Sequence, residues 1–401
     1  MLLELLTAAT IVAGNPEVPV VAADALPPTT GTRSHSHTHS RNEIDENQPP
    51  LLLEVTYTAE AIANVSGGIK RRTKYLDNLD VVLEADMERL FGWSGAELHL
   101  YGLYNNGHSI SSDVGDSFAV SNIEADGRHN LRLYEAWIAQ KISPTLSVKA
   151  GLYDLNSEFD SLDAAGLFTG SAHGIGVDFS QSGTNGPSIF PNTSLAIRVE
   201  KSFLGGGKIR AAILDGVPAD PARPGKTAVK LRSADGILTV AELETPVTNG
   251  KLLLGHWRYS AKFDNYSGTR SSGNAGFYLR GETGFTKFGD TRVDIFARVG
   301  TASGDHNMFD FFASAGVRFS GLITNEDEAG LAFAMAKTSK GYRLAQGAEQ
   351  REAEIELTYR KQVHSNVTLQ PTIQYILNPS ADPLVEDALL IGVRSEFAFR
   401  F

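Results

Sequence analysis

A two-residue alternation of apolar and polar side chains runs through most of this chain and constrains its fold more than any other feature. Between residues 388 and 401, Leu389, Ile391 and Val393 fall on one face of an extended chain, whereas Arg394 and Glu396 fall on the other. A period of two is the period of a β-strand. The same pattern recurs from residue 52 onward, so the sequence predicts an all-β protein.

The alternation divides the chain into sixteen predicted strands. They lie near 52–62, 80–90, 96–105, 130–140, 145–154, 193–201, 206–215, 236–245, 250–261, 275–285, 291–301, 309–320, 329–338, 351–361, 366–377 and 388–401. An even number of strands is typical of single-chain bacterial barrels. A soluble sheet would also alternate, however, so the strand pattern alone leaves both classes open.

The connections between the predicted strands alternate in length. Long segments follow the first, third, fifth and seventh strands, the first of them between residues 62 and 80, whereas short ones such as 141–144 and 246–249 follow the even strands. Outer-membrane barrels have short periplasmic turns and long external loops, a separation that a soluble sandwich would not show. The sequence therefore predicts a membrane-spanning antiparallel up-and-down β-barrel with both termini on the periplasmic side.

Composition is compatible with this architecture and excludes some functions. The 401 residues could form two ordinary domains or one large barrel, and the absence of cysteine suits a chain that crosses an oxidising compartment without disulfides. A net charge of −11 argues against binding nucleic acid through a broad basic face. Because no apolar run reaches about 18 residues, the chain can span a membrane only as a closed barrel.

The first 50 residues differ from the rest. Residues 1–25 read as a probable export signal, because 2–14 is largely apolar and 23–25 has the small-x-small form of a cleavage site. Its basic start is missing, so a disordered leader is the alternative. Residues 26–50 form a polar linker with His35, His37 and His39, which could take up a transition metal in an extended chain. We favour a disordered linker with incidental histidines, followed by the barrel at 51–401.

Three local features carry narrower predictions. Glu135 shares a strand face with Leu131 and Leu133, which predicts a bulge or a covered patch in that strand. Trp137, together with Trp93 and Trp257, could form aromatic girdles at the membrane interfaces. The short alternating segment 226–233 could be an extra strand, but we place it in the fourth connection.

The longest connection, residues 154–192, follows neither a strand nor a helix period. A run of this length without regular structure is usually functional or disordered, and its phenylalanine and leucine content argues against disorder. It contains no Lys or Arg, but five carboxylates: Asp154, Glu158, Asp160, Asp163 and Asp178. The oxygens between Asp154 and Glu158 alternate as in a calcium site, yet the glycine and distal glutamate of an EF-hand loop are missing. We therefore expect no metal here.

Several motifs resemble one known family. The segments that look like its signature block are GLYDLNSEFD (151–160), AAGLF (164–168), GIGVDFSQSG (174–183) and GPSIFP (186–191). The segments LYEAW (133–137), DGVPADP (215–221) and LQPTIQYILNP (369–379) are similar to the same family, the OprB-like carbohydrate-selective porins. The resemblance covers about residues 90 to 401, and the N-terminal linker is not part of it. It implies a sixteen-stranded outer-membrane channel with a preference for neutral sugars such as glucose, and no cofactor.

In porins of sixteen strands, the loop after the fifth strand folds into the lumen and narrows it, so we expect 154–192 to be an inward-folded constriction loop. Its acidic side chains would face basic residues of the wall, including Lys149, Arg298 and Arg318. Such opposed charges would orient a hydroxyl-rich solute and discourage apolar ones. The candidate constriction residues are Glu158, Asp160 and Asp163 on the loop and Arg132, Arg198 and Arg210 on the wall.

The sequence thus predicts a passive carbohydrate channel of the bacterial outer membrane. A general-diffusion porin for small hydrophilic solutes and ions is the first alternative, since it has the same architecture. A barrel enzyme such as a lipase is the second; it would need a nucleophile and a base, and no histidine pairs with a serine in a recognisable motif, so we expect no enzyme. The expected partners are small carbohydrates, outer-membrane lipid, an assembly machinery that reads the terminal Phe401, and further copies of the chain.

Overall fold

The computed structural model describes residues 49–124, 130–223, 225–286 and 291–401. The predicted export signal, nearly all of the linker and the three linker histidines lie outside these ranges. The described ranges contain eighteen strands: β1 Leu51–Ser66, β2 Thr73–Asp86, β3 Ala96–Gly107, β4 Leu131–Ser143, β5 Leu146–Tyr153, β6 Ser194–Ser202, β7 Lys208–Asp215, β8 Ile237–Val247, β9 Gly250–Tyr259, β10 Phe263–Asp264, β11 Arg270–Ser271, β12 Ala275–Thr286, β13 Arg292–Ala302, β14 Phe309–Ser320, β15 Asp327–Thr338, β16 Arg351–His364, β17 Val367–Leu377 and β18 Ala388–Arg400.

Sixteen of these strands close into one antiparallel barrel, as the sequence predicts, while β10 and β11 form a separate small hairpin. Each wall strand pairs with the next along the chain, except that β9 pairs with β12 across the hairpin. The seam joins the first and last strands, where Tyr57 lies opposite Phe397 and Ala61 opposite Val393. Closure leaves no free sheet edge, which satisfies the requirement that backbone groups in lipid be hydrogen-bonded.

The remaining regular elements are short. The α-helices are Met87–Phe91, Ser111–Val114, Ser171–Gly174, Val177–Ser180 and Lys340–Gln346, and the 3₁₀ turns are Leu155–Ser157, Ala165–Leu167 and Pro379–Ala381. Within the described ranges, none of the helices has the length and apolar character needed to cross a bilayer.

The wall is apolar outside and polar inside. Leu331, Leu357, Ile373 and Ile391 are paired neighbours on four consecutive strands, and each is 45–52 % exposed. The adjacent positions on the opposite face are buried, and many are charged; Glu356 is one example. This arrangement reverses that of a soluble protein, whose apolar residues face inward. A lipid-facing outer surface explains it.

The connections agree with the predicted separation of lengths, with one correction. The long segments 108–130, 154–193 and 216–236 lie at one end of the barrel, and the turns 144–145 and 248–249 lie at the other. The prediction of a long loop after the first strand is wrong, because β2 begins at Thr73 and only 67–72 connects it to β1. The polar stretch before residue 80 obscured the start of β2. Asn78 and Asp80 lie on the inner face with Leu76, whereas Asp77 puts a carboxylate on the outer face opposite Ala59. Segment 226–233 contains no strand.

The irregularity predicted around Glu135 is a bulge in β4. Tyr101 pairs with Glu135, whereas the next residue, Gly102, pairs with Leu133, so Tyr134 is the extra residue. The bulge turns Glu135 inward while Leu131 and Leu133 face outward.

The prediction of tryptophan girdles is wrong for two of the three residues. Trp257 is fully buried and stacks on Phe179 of the long loop, with ring centroids 4.9 Å apart, and Trp137 is also buried on the inner face. Only Trp93 is well exposed. Tryptophan here fills space between the wall and the loop inside it.

Replacing the outward Leu357 by Arg should destabilise the barrel by about 2–4 kcal/mol, because it puts a charge in the lipid-facing band. Leu384→Arg provides a matched control, since Leu384 is 90 % exposed in the connection before β18. Denaturant unfolding of the lipid-reconstituted variants would measure the difference. Equal stabilities would show that the band does not face lipid.

The role of Phe401 as an assembly signal remains a prediction. Its backbone exchanges hydrogen bonds with Leu53, and its ring is exposed. Deleting Phe401 should lower the yield of heat-modifiable, membrane-inserted barrel more than Phe399→Ala, which removes an equally outward phenylalanine from the same strand. Yields in membrane fractions, compared on unheated gels, would check this, and equal yields would remove the signal.

Candidate functional site

The long loop between β5 and β6, residues 154–193, packs against the inner side of the wall. Its backbone donates hydrogen bonds to wall carboxylates on well-separated strands: Asp160 N–H to Glu242 of β8 at 3.0 Å, and Ala164 N–H to Glu282 of β12 at 2.8 Å. Farther along, Gly170 N–H donates to Glu356 of β16 at 2.8 Å. Aromatic packing of Phe179 on Trp257 adds an apolar contact. The loop is thus fastened to the wall from several directions.

Glu158 lies in a cluster of wall cations at the start of the loop. Its carboxylate accepts hydrogen bonds from Arg198 through two nitrogens, including Nε at 2.7 Å, and from Lys149 Nζ at 3.2 Å. Burial alone would raise the pKa of Glu158, but Lys149 and Arg198 hold that pKa well below its usual range. Glu158 is therefore ionised at neutral pH, and its charge is matched locally.

Arg210 joins this cluster from β7. It forms ion pairs with Glu200, Glu242 at 3.3 Å and Glu244 at 3.1 Å, and it approaches the Glu158 carbonyl oxygen at 3.5 Å. Three of the six predicted constriction residues, Glu158, Arg198 and Arg210, are thus brought together.

Asp160 belongs to a second, deeper cluster that faces other cations. Its carboxylate accepts hydrogen bonds from Arg298 Nε at 2.8 Å and Arg280 Nη1 at 2.7 Å, and it is fully buried. Arg298 also donates to Asp178 at 2.7 Å, so two loop carboxylates share one guanidinium. A Cβ added at Gly176 would lie 2.0 Å from Arg298 Nη1, so a glycine is needed for this close approach.

The other two predicted residues lie apart from these clusters. Asp163 has a side chain 61 % exposed and pairs with Lys251 at 3.2 Å. Arg132 bonds to Asn105 of the neighbouring strand β3, among the buried polar side chains of Asn78 and Asp80.

Sequence reasoning missed Arg280, Lys251 and the wall carboxylates that hold the loop. Strand parity could have found Arg280. In β12, Phe277 and Leu279 face outward, so Tyr278 and Arg280 must face inward. Nothing in the sequence indicated which wall cation would meet which loop acid, because the cations that hold Glu158 and Asp160, apart from Lys149, lie 40 to 138 positions away.

A cavity of about 500 Å³ opens beside the first cluster, toward the end of the barrel that carries the short turns. Glu158, Asp163, Arg198 and Arg210 line it, whereas Asp160 and Arg132 do not. The same cavity is lined by Lys149, Lys251, Glu244, His99 and Trp137. Acids and bases therefore border it together, mostly as contacting pairs.

One wall of the cavity is aromatic. The His99 and Trp137 rings are stacked, with centroids 4.6 Å apart and planes within 6°. Lys149 Nζ lies 3.9 Å from the centroid of the Trp137 ring, a cation–π contact. This stack holds Lys149 at the edge of the cavity, where it also meets Glu158.

The comparisons with known proteins agree with this geometry. The family model described as "Carbohydrate-selective porin, OprB family" matches residues 70–399. Porin B of Pseudomonas aeruginosa is 23 % identical over 432 residues, which cover 94 % of this chain and 93 % of that protein.

Solved structures share the fold. The high-pH structure of OprB from Pseudomonas putida has a TM-score of 0.77 at 20 % identity, covering 87 % of this chain and 94 % of that one. OmpF of Salmonella typhi in complex with daunomycin has a TM-score of 0.57 at 9 % identity, covering 87 % and 97 %. Fold and family indicate a channel rather than an enzyme. The chain belongs to the carbohydrate-selective porin, OprB family, and is a sugar channel of the bacterial outer membrane.

Proposed function

We propose that this channel passes neutral sugars such as glucose by passive diffusion, and that a sugar is held weakly in the cavity beside Glu158 on its way through. The observation that carries the proposal is the pairing of charges around the cavity: Glu158 with Arg198 and Lys149, and Arg210 with Glu244. Paired charges present many hydrogen-bonding groups but little net charge.

This pairing suits a hydroxyl-rich, uncharged solute. A hydroxyl can donate to a carboxylate and accept from a guanidinium, so a sugar can bond along the exposed edges of the pairs. Each such bond in a wet site contributes about 0.5–1.5 kcal/mol, and a few of them give millimolar-range binding that still permits release. A charged solute gains less, since Glu158, Arg198 and Arg210 already have charged partners.

The loop supplies the narrowing in this proposal. We assign Glu158 and Asp163 on the loop, and Arg198 and Arg210 on the wall, as sugar-contacting candidates because they border the cavity. Asp160 has a different role: its contacts with Arg280 and Arg298 anchor the loop to β12 and β13. Arg132 lies outside the cavity lining, and its predicted place in the constriction gains no support from its contact with Asn105.

Glucose should reduce the ion current through reconstituted channels in a saturable way. Glu158→Gln and Arg210→Gln should each raise the half-blocking glucose concentration by about two- to tenfold, the equivalent of one lost hydrogen bond. The first change should shift ion preference toward anions and the second toward cations. Single-channel recording in a glucose series measures both quantities.

Asp220→Asn is the matched control, because Asp220 pairs with Lys230 in the 216–236 connection away from the cavity. It should leave the block unchanged. Absence of glucose block in the unmodified channel would favour a general-diffusion porin. Block that no cavity variant alters would keep the sugar channel and reject these residues.

Asp160→Asn should weaken the loop anchor, since it leaves two buried guanidinium groups short of a counter-charge. Removing one partner of a buried ion pair costs about 3–5 kcal/mol. Asp163→Asn should cost less than about 1 kcal/mol, because its pair with Lys251 is exposed. Denaturant unfolding would rank the two, and current noise should rise in the first variant only. Equal effects would contradict the anchor.

The stability that the Asp160 anchor contributes should depend on pH. Burial alone would raise the pKa of Asp160, but Arg298 and Arg280 hold the pKa below its usual 3.8. Its contribution to stability is therefore present above pH 3.8 and is lost as the pH falls through the lower folded value. Asp160→Asn should remove this part of the acid sensitivity.

A further inference from the structure

A buried group of metal-ligating side chains joins the long loop to β16. His173 of the loop and Glu354 and Glu356 of β16 place one ligand atom each within 4.8 Å of one another. His173 is 3 % exposed, and both glutamates are fully buried. The proposed sugar cavity does not include any of the three.

Two of these side chains have hydrogen-bonding atoms without partners. Both ring nitrogens of His173 and both carboxylate oxygens of Glu354 are buried and make no hydrogen bond. Buried polar atoms are nearly always satisfied, because an unpaired one costs about 1–3 kcal/mol or more. A neutral imidazole keeps one N–H and a carboxylate has none, so at least three of these four atoms have a lone pair without a donor, which indicates a missing ligand that accepts electron pairs.

The local charge indicates a cation. Glu352, Glu354 and Glu356 follow one another on the inner face of β16, and all three are buried. Among the described residues, none of the three forms an ion pair with Lys or Arg. Buried carboxylates without a counter-charge must either take up protons or hold a metal ion.

The geometry holds the ligands in position. Glu356 accepts hydrogen bonds from the backbone N–H groups of Thr169 and Gly170, both at 2.8 Å, and its Oε2 lies 3.8 Å from His173 Nε2. A Cβ on Gly170 would lie 2.4 Å from Glu354 Oε1, so the glycine lets the loop backbone approach both carboxylates. Ligands about 2.0–2.2 Å from one ion lie up to roughly 4.3 Å apart, so the group could close on a cation with shifts of about half an ångström.

We propose that His173, Glu354 and Glu356 bind one divalent transition-metal cation such as Zn²⁺, which ties the loop to β16. An imidazole with two carboxylates suits such ions, whereas Ca²⁺ and Mg²⁺ prefer oxygen ligands alone. The site fastens the loop to β16, whereas the Asp160 anchor fastens it to β12 and β13, and it does not depend on the proposed sugar preference. No local sequence pattern indicates this group, because His173 lies 181 and 183 positions before the two glutamates.

The test uses the full chain in detergent with His35, His37 and His39 replaced by Ser, since these histidines could bind metal themselves. After removal of metal by EDTA, Zn²⁺ is titrated by calorimetry. One strong site is expected, and Glu354→Gln and His173→Asn should each weaken it at least about tenfold. Glu352→Gln is the matched control, because this neighbouring buried glutamate instead accepts hydrogen bonds from Ser117 N–H, and it should leave the affinity unchanged.

No Zn²⁺ binding by this protein would overturn the proposal and leave protons as the explanation for the buried glutamates. Binding that is equal in all variants would place the ion elsewhere, and tighter binding of Ca²⁺ or Mg²⁺ than of Zn²⁺ would reject the metal class. Should the Glu354 and His173 variants fail to give heat-modifiable barrels, X-ray absorption of the Zn²⁺-loaded parent decides. One imidazole with oxygen ligands supports the site, and a shell without imidazole overturns it.

Discussion

The structure depends on the requirement that a chain in lipid satisfy its own backbone hydrogen bonds. A bilayer core supplies no donors or acceptors, so strands can cross it only in a sheet without edges. Pairing of β1 with β18 provides that closure, and the two strands join residues more than 300 positions apart. Every other feature follows from the closed wall: the apolar outer band, the polar inner face and the enclosed space in which the long loop lies.

Inside the wall, charge takes over the organising role that apolar packing has in a soluble core. Glu158 and Asp160 of the loop meet cations from β5, β6, β12 and β13. Such buried pairs add little net stability compared with apolar packing, because desolvation offsets their attraction. These ion pairs instead hold the loop in one position, since any displacement of the loop would leave several buried charges unpaired. The apolar contacts of Phe179 with Trp257 and Tyr278 fill the space between these anchors.

The pairing also changes how selectivity should be understood. The sequence suggested an acidic loop opposite a basic wall, with the solute passing between two charged rows. In the structure most of these acids and bases touch, so the route that we propose for the solute runs beside the pairs. A border of contacting pairs, from Glu158 with Arg198 to Arg210 with Glu244, offers donors and acceptors with little net field. This is an environment for hydroxyl groups more than for ions.

The sequence by itself determined the fold class, the number of barrel strands and the position of the longest loop, because each is recorded in a local pattern. Side chains alternate with a period of two wherever one face meets lipid, and residues 154–192 stand out because they break that period. It also located the bulge at Glu135, where the alternation fails within one strand.

Only the tertiary structure decided which charges meet, because closure brings together residues that no local pattern relates. Asp160 pairs with Arg280 and Arg298, 120 and 138 positions away. Arg132, which the sequence placed opposite the loop acids, instead bonds to Asn105. The start of β2 was missed because Leu76 lies on the inner face and Asp77 on the outer face, against the expected alternation. Likewise, the group of His173 with Glu354 and Glu356 exists only because the loop folds back onto a strand that the chain forms nearly 200 residues later.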